Sequence, residues 1–231
     1  MRNVCGFPSR VAASAGCGEK TEMAAKIFTS SLAKKLGMAL TGLVLYGFLA
    51  GHLIGNSLLL RSDGGKAFNA YSEFLVTHPL IVPVEIFLLT ILFVHLYLAI
   101  RVSIENRQAR PVGYQKTRSA GGRSWASYSM IFSGIVILVF LVIHLKTFKY
   151  GDHSGGNLYA LVSSSFQQTG YMAWYVFAMI VLGFHLWHAF QSALQTLSVG
   201  GQKVRSLGLL FCLVLSMGFG FLPIYLGVLS K

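Results

Sequence analysis

The chain has 231 residues, of which 54% are hydrophobic and 11% are charged, and its formal net charge is +12. A soluble domain has roughly 25% charged residues, well above the fraction in this chain. The positive mean hydropathy of +0.62 also indicates an apolar chain. The composition therefore excludes an ordinary soluble enzyme and predicts an integral membrane protein. The positive charge does not indicate nucleic-acid binding, because it flanks the apolar segments and no nucleic-acid motif accompanies it.

The N-terminal segment is rich in Gly, Ala and Ser, and we expect residues 1–27 to be disordered. It has no apolar core adequate for a signal peptide, and Met23 is an alternative start. The cysteines Cys5, Cys17 and Cys212 form no CxxC or CxxCH pattern. Disulfide, zinc and covalent-haem interpretations therefore lack support.

Five long apolar runs follow, each exceeding the roughly 20 residues that a helix needs to cross a bilayer. Helices satisfy their own backbone hydrogen bonds in lipid, so we predict an all-α integral membrane domain of five transmembrane helices over residues 28–231. The runs cover residues 33–60, 80–104, 125–149, 171–197 and 205–229.

Lys and Arg residues concentrate before the first run and in the second connection, with a further pair in the fourth. The first and third connections carry fewer. The positive-inside rule therefore places the N-terminus and the even-numbered connections in the cytoplasm.

Four runs each contain one His-Leu pair, at His52, His95, His144 and His185. A titratable ring inside a membrane is costly and indicates a function. Four of them on four helices predict two bis-histidine sites, each with two imidazoles as axial ligands of a haem b iron. Zinc fits less well, because the rings fall at two depths, and a proton relay would not explain the pairing.

An internal repeat relates these runs. Leu40-Thr41-Gly42-Leu43 precedes His52 as Phe132-Ser133-Gly134-Ile135 precedes His144, and Phe93-Val94-His95-Leu96 resembles Gly183-Phe184-His185-Leu186. The core is thus predicted to be a two-helix hairpin used twice, with a fifth helix added. Chance likeness between apolar helices is the alternative.

The depth of each histidine in the membrane predicts which histidines form pairs. Counted from the cytoplasmic ends of their runs at 1.5 Å per residue, His52 and His144 lie about 26 and 30 Å in, whereas His95 and His185 lie about 9 and 15 Å in. We therefore pair His52 with His144 in the outer half of the membrane, and His95 with His185 in the inner half.

Glycines near the histidines are candidates to clear space for the macrocycle, with plain helix–helix packing as the alternative. These are Gly42, Gly47, Gly51, Gly55, Gly134 and Gly183. His188, one turn after His185, is a lesser candidate ligand and otherwise a candidate partner for a propionate or a quinone, because the equivalent stretch of the second run has no second histidine.

Charged residues supply further candidates. Propionates need cationic partners, for which the candidates include Arg61 and Lys146 outside and Arg101 and Arg123 inside, with snorkelling to headgroups as the alternative. Carboxylates can accept or release protons at a quinone, and the candidates are Glu73 and Glu85. Glu85 also fits a simple helix N-terminal role.

Several segments together resemble one family, the single-polypeptide dihaem cytochrome b subunit of succinate dehydrogenase and fumarate reductase (complex II), over residues 28–229. They are Ala39-Leu40-Thr41-Gly42, Gly51-His52-Leu53-Ile54-Gly55-Asn56, Phe68-Asn69-Ala70-Tyr71, Glu105-Asn106-Arg107, Ala109-Arg110-Pro111, Leu158-Tyr159, Ser164-Ser165-Phe166 and Gly183-Phe184-His185-Leu186-Trp187-His188-Ala189-Phe190-Gln191-Ser192.

The resemblance implies five helices, two haem b groups, a quinone substrate (we expect menaquinone) and a place in the bacterial cytoplasmic membrane. It also implies a flavoprotein partner with covalent FAD and an iron–sulfur partner, and it leaves a higher oligomer open. The sequence agrees that partners are needed, because no connection is long enough for a flavin or dicarboxylate domain and no catalytic acid/base cluster exists. The chain would thus be one subunit of an enzyme, and this subunit would have no catalytic residues of its own.

Two other functions stay open. The cytochrome b subunit of a hydrogenase or formate dehydrogenase also binds haem between helices, although its catalytic partner is usually outside the membrane. A haem-free transporter or structural anchor is the other, and it predicts no haem absorbance.

Overall fold

The computed structural model describes residues 30–108, 125–151 and 157–229, and all regular structure within these ranges is helical. The segment predicted to be disordered, residues 1–27, and the candidate Arg123 lie outside the described residues. The helices are α1 (Ser31–Asn56, extended by a 3-10 turn, Ser57–Leu60), α2 (Lys66–Thr77), α3 (Ile81–Gln108), α4 (Trp125–His144, extended by a π-helical turn, Leu145–Lys149), α5 (Leu158–Gln167), α6 (Thr169–Thr196) and α7 (Gln202–Ile224, extended by a π-helical turn, Tyr225–Leu229).

Five of these helices are long and apolar enough to cross a membrane, which confirms the predicted number of spans. The candidate spans are Ser31–Leu60, Ile81–Asn106, Met130–Lys149, Thr169–Thr196 and Gln202–Leu229. The two short helices, α2 and α5, lie in the first and third connections, where the sequence did not predict regular structure.

Local chemistry explains where several helices begin and end. The Ser30 side chain caps α1 by accepting a hydrogen bond from the Ala33 N–H at 3.2 Å. The Asp63 carboxylate accepts bonds from two backbone N–H groups at the start of α2, and Gly65 there has a φ of +82°, which favours glycine. At the far end of α7, Pro223 lies two residues before the start of the π-helical turn at Tyr225.

The long helices run alternately up and down the bundle. Helix α1 packs against α3 and α6, α4 packs against α6, and α7 packs against α6 and α1. We call the end where α1 begins the amino end, and the end that carries α2 and α5 the capped end. Helices α3 and α4 form no extended contact with each other among the described residues, so the bundle is closed between α1 and α6 and more open between α3 and α4.

The buried core has two parts. The first lies where α1, α6 and α7 meet, and it contains Tyr46, Ala178, Met179, Leu182, Leu186, Cys212 and Leu215. The second lies beneath α2 and α5 at the capped end, and it contains Leu59, Phe68, Val162, Phe166, Tyr175, Leu222 and Leu226.

The predicted hairpin repeat has a counterpart in the structure. Helices α1 and α3 form one hairpin with α2 in its connection, and α4 and α6 form the other with α5 in its connection. The two connection helices meet through Asn69, whose amide donates to Asn157 Oδ1 at 3.0 Å and whose Oδ1 accepts from the Tyr159 backbone N–H at 2.9 Å.

Candidate functional site

His52 on α1 and His144 on α4 face one another near the capped end. Their ring centroids are 5.9 Å apart and their planes are nearly perpendicular, at 84°. Aromatic side chains surround both rings: Phe48 and Phe219 lie beside His52, and Phe140 and Phe148 lie beside His144, with centroid separations of 5.4, 5.7, 5.7 and 5.5 Å respectively. The two rings are therefore held in an apolar, aromatic environment.

Polar groups from neighbouring turns hold this pair. The Nδ1 atom of His144 lies 3.0 Å from the Tyr175 hydroxyl, which itself accepts a hydrogen bond from the Tyr171 hydroxyl at 3.2 Å. The Asn56 amide donates to the His52 carbonyl oxygen at 2.8 Å and lies 3.4 Å from His52 Nε2. The sequence did not identify these partners. Asn56 follows His52 by one helical turn, and this spacing was the one indication that the two side chains meet.

The other two histidines are each held by a hydroxyl from the preceding long helix of the same hairpin. His95 Nδ1 on α3 lies 3.1 Å from Thr41 Oγ1 on α1, and His185 Nδ1 on α6 lies 2.9 Å from Ser133 Oγ on α4. The hydroxyls are the equivalent residues of the sequence repeat.

The four histidines therefore lie at two levels. Thr41 precedes His52 by eleven residues, and Ser133 precedes His144 by the same number, which corresponds to about 16 Å along each helix. Since each hydroxyl contacts one of the other two histidines, His95 and His185 lie about 16 Å nearer the amino end than His52 and His144.

The candidate glycines divide by what an added Cβ atom would meet. At Gly42 it would lie 3.3 Å from His95 Cε1, and at Gly134 it would lie 3.8 Å from His185 Cε1. At Gly47 and Gly51, on either side of Phe48, it would meet nothing within 4 Å, so open space lies beside the helix that carries His52.

The other two candidate glycines serve packing between elements. A Cβ atom at Gly183 would lie 2.6 Å from Ser216 Oγ on α7, and one at Gly55 would lie 2.6 Å from the Tyr71 ring on α2. At these two positions the contacts are those expected of glycines that allow close packing between helices.

Two of the charged candidates form ion pairs. Glu85, near the capped end of α3, pairs with Lys149 at the end of the fourth helix, so this pair bridges the open side of the bundle. Arg101 lies 3.5 Å from Glu105, which also pairs with Lys34 of α1 at 2.5 Å. The sequence could not identify these partners, because it does not specify which helices are neighbours.

The remaining candidates are less enclosed. Arg61, Glu73 and Lys146 are exposed, and their charged groups have no ion-pair partner among the described residues. His188 is partly buried, one helical turn after His185, and its ring has no hydrogen-bond partner in the described part of the chain.

The His52–His144 pair offers two imidazole donors, which is the donor set that a bis-histidine haem iron takes. The described ranges contain no cluster of three or more His, Cys, Asp or Glu side chains, whereas a structural zinc ion takes four protein ligands. Because a metal–imidazole bond is about 2 Å long, two imidazoles on opposite sides of one metal ion have centroids about 6 Å apart. The 5.9 Å between His52 and His144 is close to that spacing, and it is also within the roughly 4.5–7 Å of ordinary aromatic contacts.

No protein-family model, no curated protein and no solved structure matches the chain.

Proposed function

We propose that this chain is the dihaem cytochrome b membrane anchor of a succinate:quinone oxidoreductase, that is, of a succinate dehydrogenase or fumarate reductase. The observation that carries the proposal is the placement of four intramembrane histidines at two levels of one helical bundle, with two of them facing each other 5.9 Å apart. Intramembrane ionisable residues are rare, and two levels of paired imidazoles match the needs of two haem groups.

In this proposal His52 and His144 would hold one haem near the capped end, and His95 and His185 would hold the other near the amino end. When bound, haem b supplies a one-electron carrier whose potential depends on its ligands and its burial. The aromatic residues around His52 and His144 exclude water from those rings, and Tyr175 orients the His144 ring. Open space beside Gly47 and Gly51 leaves room on α1 for a flat ligand.

The proposed partners are a flavoprotein with covalent FAD and an iron–sulfur protein, docked at the amino end on the cytoplasmic side of a bacterial membrane. Basic residues gather at this end of the described chain, including Lys35, Arg101, Lys203 and Arg205. A cytoplasmic position for this charge follows the positive-inside rule. Electrons would then pass between the iron–sulfur partner and quinone, for which we expect menaquinone, through the two levels of histidines.

Quinone chemistry needs groups that exchange protons, and the chain has candidates at both ends. Glu73 is exposed on α2, and Glu85 is partly buried and paired with Lys149 at the open side of the bundle. Near the amino end, His188 has no hydrogen-bond partner among the described residues and can bind a carbonyl or a propionate. Arg61, Lys146 and Arg123 remain proposed propionate partners, as does Arg101 in addition to its pairing with Glu105.

The test is to purify the intact complex, add succinate without oxygen, and record the haem absorption bands before and after adding a quinone. We expect succinate to reduce haem b and quinone to reoxidise it. A complex whose haem is reduced by hydrogen or formate, and not by succinate, would instead support the hydrogenase or formate dehydrogenase alternative. A complex without haem absorption would contradict the proposal and favour a transporter or a structural anchor.

A further inference from the structure

We infer that Thr41 and Ser133 are positioning residues that fix the tautomer and the ring rotation of His95 and His185. This inference rests on the proposed function, because it concerns how the two amino-end rings are prepared to bind a metal. It arises from the hydrogen-bond partners of the two hydroxyls.

Each hydroxyl has a single proton, and a carbonyl oxygen of its own helix lies within hydrogen-bond distance to accept it. Thr41 Oγ1 donates to the Gly37 carbonyl oxygen at 2.8 Å, with the Met38 carbonyl oxygen also near at 3.1 Å. Ser133 Oγ donates to the Met130 carbonyl oxygen at 3.0 Å. Both residues are buried, with 8% and 4% of their surface exposed, so solvent does not compete for these bonds.

A hydroxyl that has given its proton to a carbonyl can only accept from the neighbouring ring. His95 Nδ1, 3.1 Å from Thr41, and His185 Nδ1, 2.9 Å from Ser133, must then carry the imidazole proton. In a neutral ring the other nitrogen, Nε2, is left with a free lone pair, which is the form that binds a metal. Hydrogen bonds of this type are how proteins commonly fix a ligating histidine.

The glycine after each hydroxyl completes the arrangement. Gly42 lies against His95 Cε1 and Gly134 lies against His185 Cε1, so each ring turns its Nδ1–Cε1 edge toward the helix that holds it. The Nε2 atom, next to Cε1 in each ring, has no hydrogen-bond partner among the described residues and is the nitrogen left for a ligand. The same hydroxyl–glycine pair performs this role in both hairpins, which makes an accidental contact a poor explanation.

The capped-end pair is held differently. His144 Nδ1 is bonded to Tyr175, whose phenol can donate or accept, and His52 has an amide rather than a hydroxyl beside its ring. We therefore expect the loss of Thr41 or Ser133 to affect one haem site and to leave the other unchanged.

The experiment compares Thr41→Val and Ser133→Ala in the intact complex by quantitative haem analysis and by redox titration of the haem bands. We expect haem affinity at the amino-end site to fall about 10- to 100-fold, the usual effect of losing such a partner. Haem that remains there should have a higher midpoint potential, because a ring that loses its hydrogen-bond acceptor donates less electron density to the oxidised iron. The other haem should keep its potential.

Matched variants separate positioning from general destabilisation. Thr90→Val removes a hydroxyl on the same helix as His95 whose one hydrogen bond among the described residues is to the Ile86 carbonyl oxygen, and it should leave both potentials unchanged. Thr41→Ser keeps the hydroxyl and should restore the wild-type potential.

Two results would overturn the inference in different ways. Two haems with wild-type affinities and potentials in both Thr41→Val and Ser133→Ala, or a Thr41→Ser complex shifted like Thr41→Val, would overturn this inference alone. A wild-type complex without haem would overturn the proposed function, and this inference with it.

Discussion

Replacing Gly183 with alanine should separate α6 from α7 and destabilise the bundle. The new Cβ atom would lie 2.6 Å from Ser216 Oγ and 2.9 Å from Ser216 Cβ. Unstrained van der Waals contacts between carbon atoms begin at about 3.5 Å. The Ser216 hydroxyl could rotate away, but its Cβ atom cannot move without its backbone. Rotation would also break the bond that this hydroxyl donates to the Met179 carbonyl oxygen at 2.8 Å.

The expected size follows from three contributions. Overpacking costs about 1–3 kcal/mol, and a hydrogen bond between membrane helices contributes about 0.6 kcal/mol. Alanine favours a helix over glycine by up to about 1 kcal/mol, which offsets part of this loss. The net change for Gly183→Ala is therefore a loss of about 1–3 kcal/mol in the free energy of unfolding.

The assay is reversible unfolding of the full chain in mixed detergent micelles, followed by circular dichroism. Gly170→Ala is the matched control, because it lies on the same helix and an added Cβ atom would meet nothing within 4 Å. Ser216→Gly removes both crowded atoms, so a double-mutant cycle with Gly183→Ala should give a favourable coupling of at least about 1 kcal/mol. Equal stability of Gly183→Ala and Gly170→Ala, with no coupling in the cycle, would refute the close approach of the two helices.

Three further predictions concern other parts of the bundle. His185→Ala should remove one haem from the purified complex while His188→Ala retains both, since Ser133 holds the His185 ring whereas the His188 ring has no such partner in the described chain; the reverse haem contents would identify His188 as the ligand. Cys212, which is 2% exposed, should react with a maleimide only after unfolding, in a chain whose other two cysteines are changed to serine; rapid labelling in native micelles would contradict its burial. A double-mutant cycle on Lys34 and Glu105 should give a favourable coupling at low salt that shrinks at high salt, because partly exposed ion pairs are screened; a coupling that does not change with salt would contradict this ionic account.

The five long helices could be predicted because hydropathy is a local property of the sequence. The short helices α2 and α5 could not, since each is too short to stand out in an average over a membrane-length window. Their packing at the capped end depends instead on side chains distant in sequence, such as Asn69 and Asn157.

The two histidine levels followed from counting residues along each run, because helical rise is nearly constant. The partners of the rings did not follow, since they depend on how each helix is rotated and which helix lies beside it. Thr41 and Ser133 were visible as repeated residues, yet their sequence position suggested no contact with His95 or His185. The sequence makes Glu85 a candidate proton acceptor or a simple helix N-terminal residue, and its pairing with Lys149 required the positions of two helices.

The most direct test of the central claim is the haem content of the purified full-length chain, measured by extraction and absorption together with protein quantitation. We expect two haem b per chain in the wild type and one after replacing either His52 or His95 with alanine, since these histidines belong to different pairs. The double replacement should contain none. A wild-type chain without haem b, or single variants that keep both haems, would contradict the assignment of the four histidines as two pairs of axial ligands.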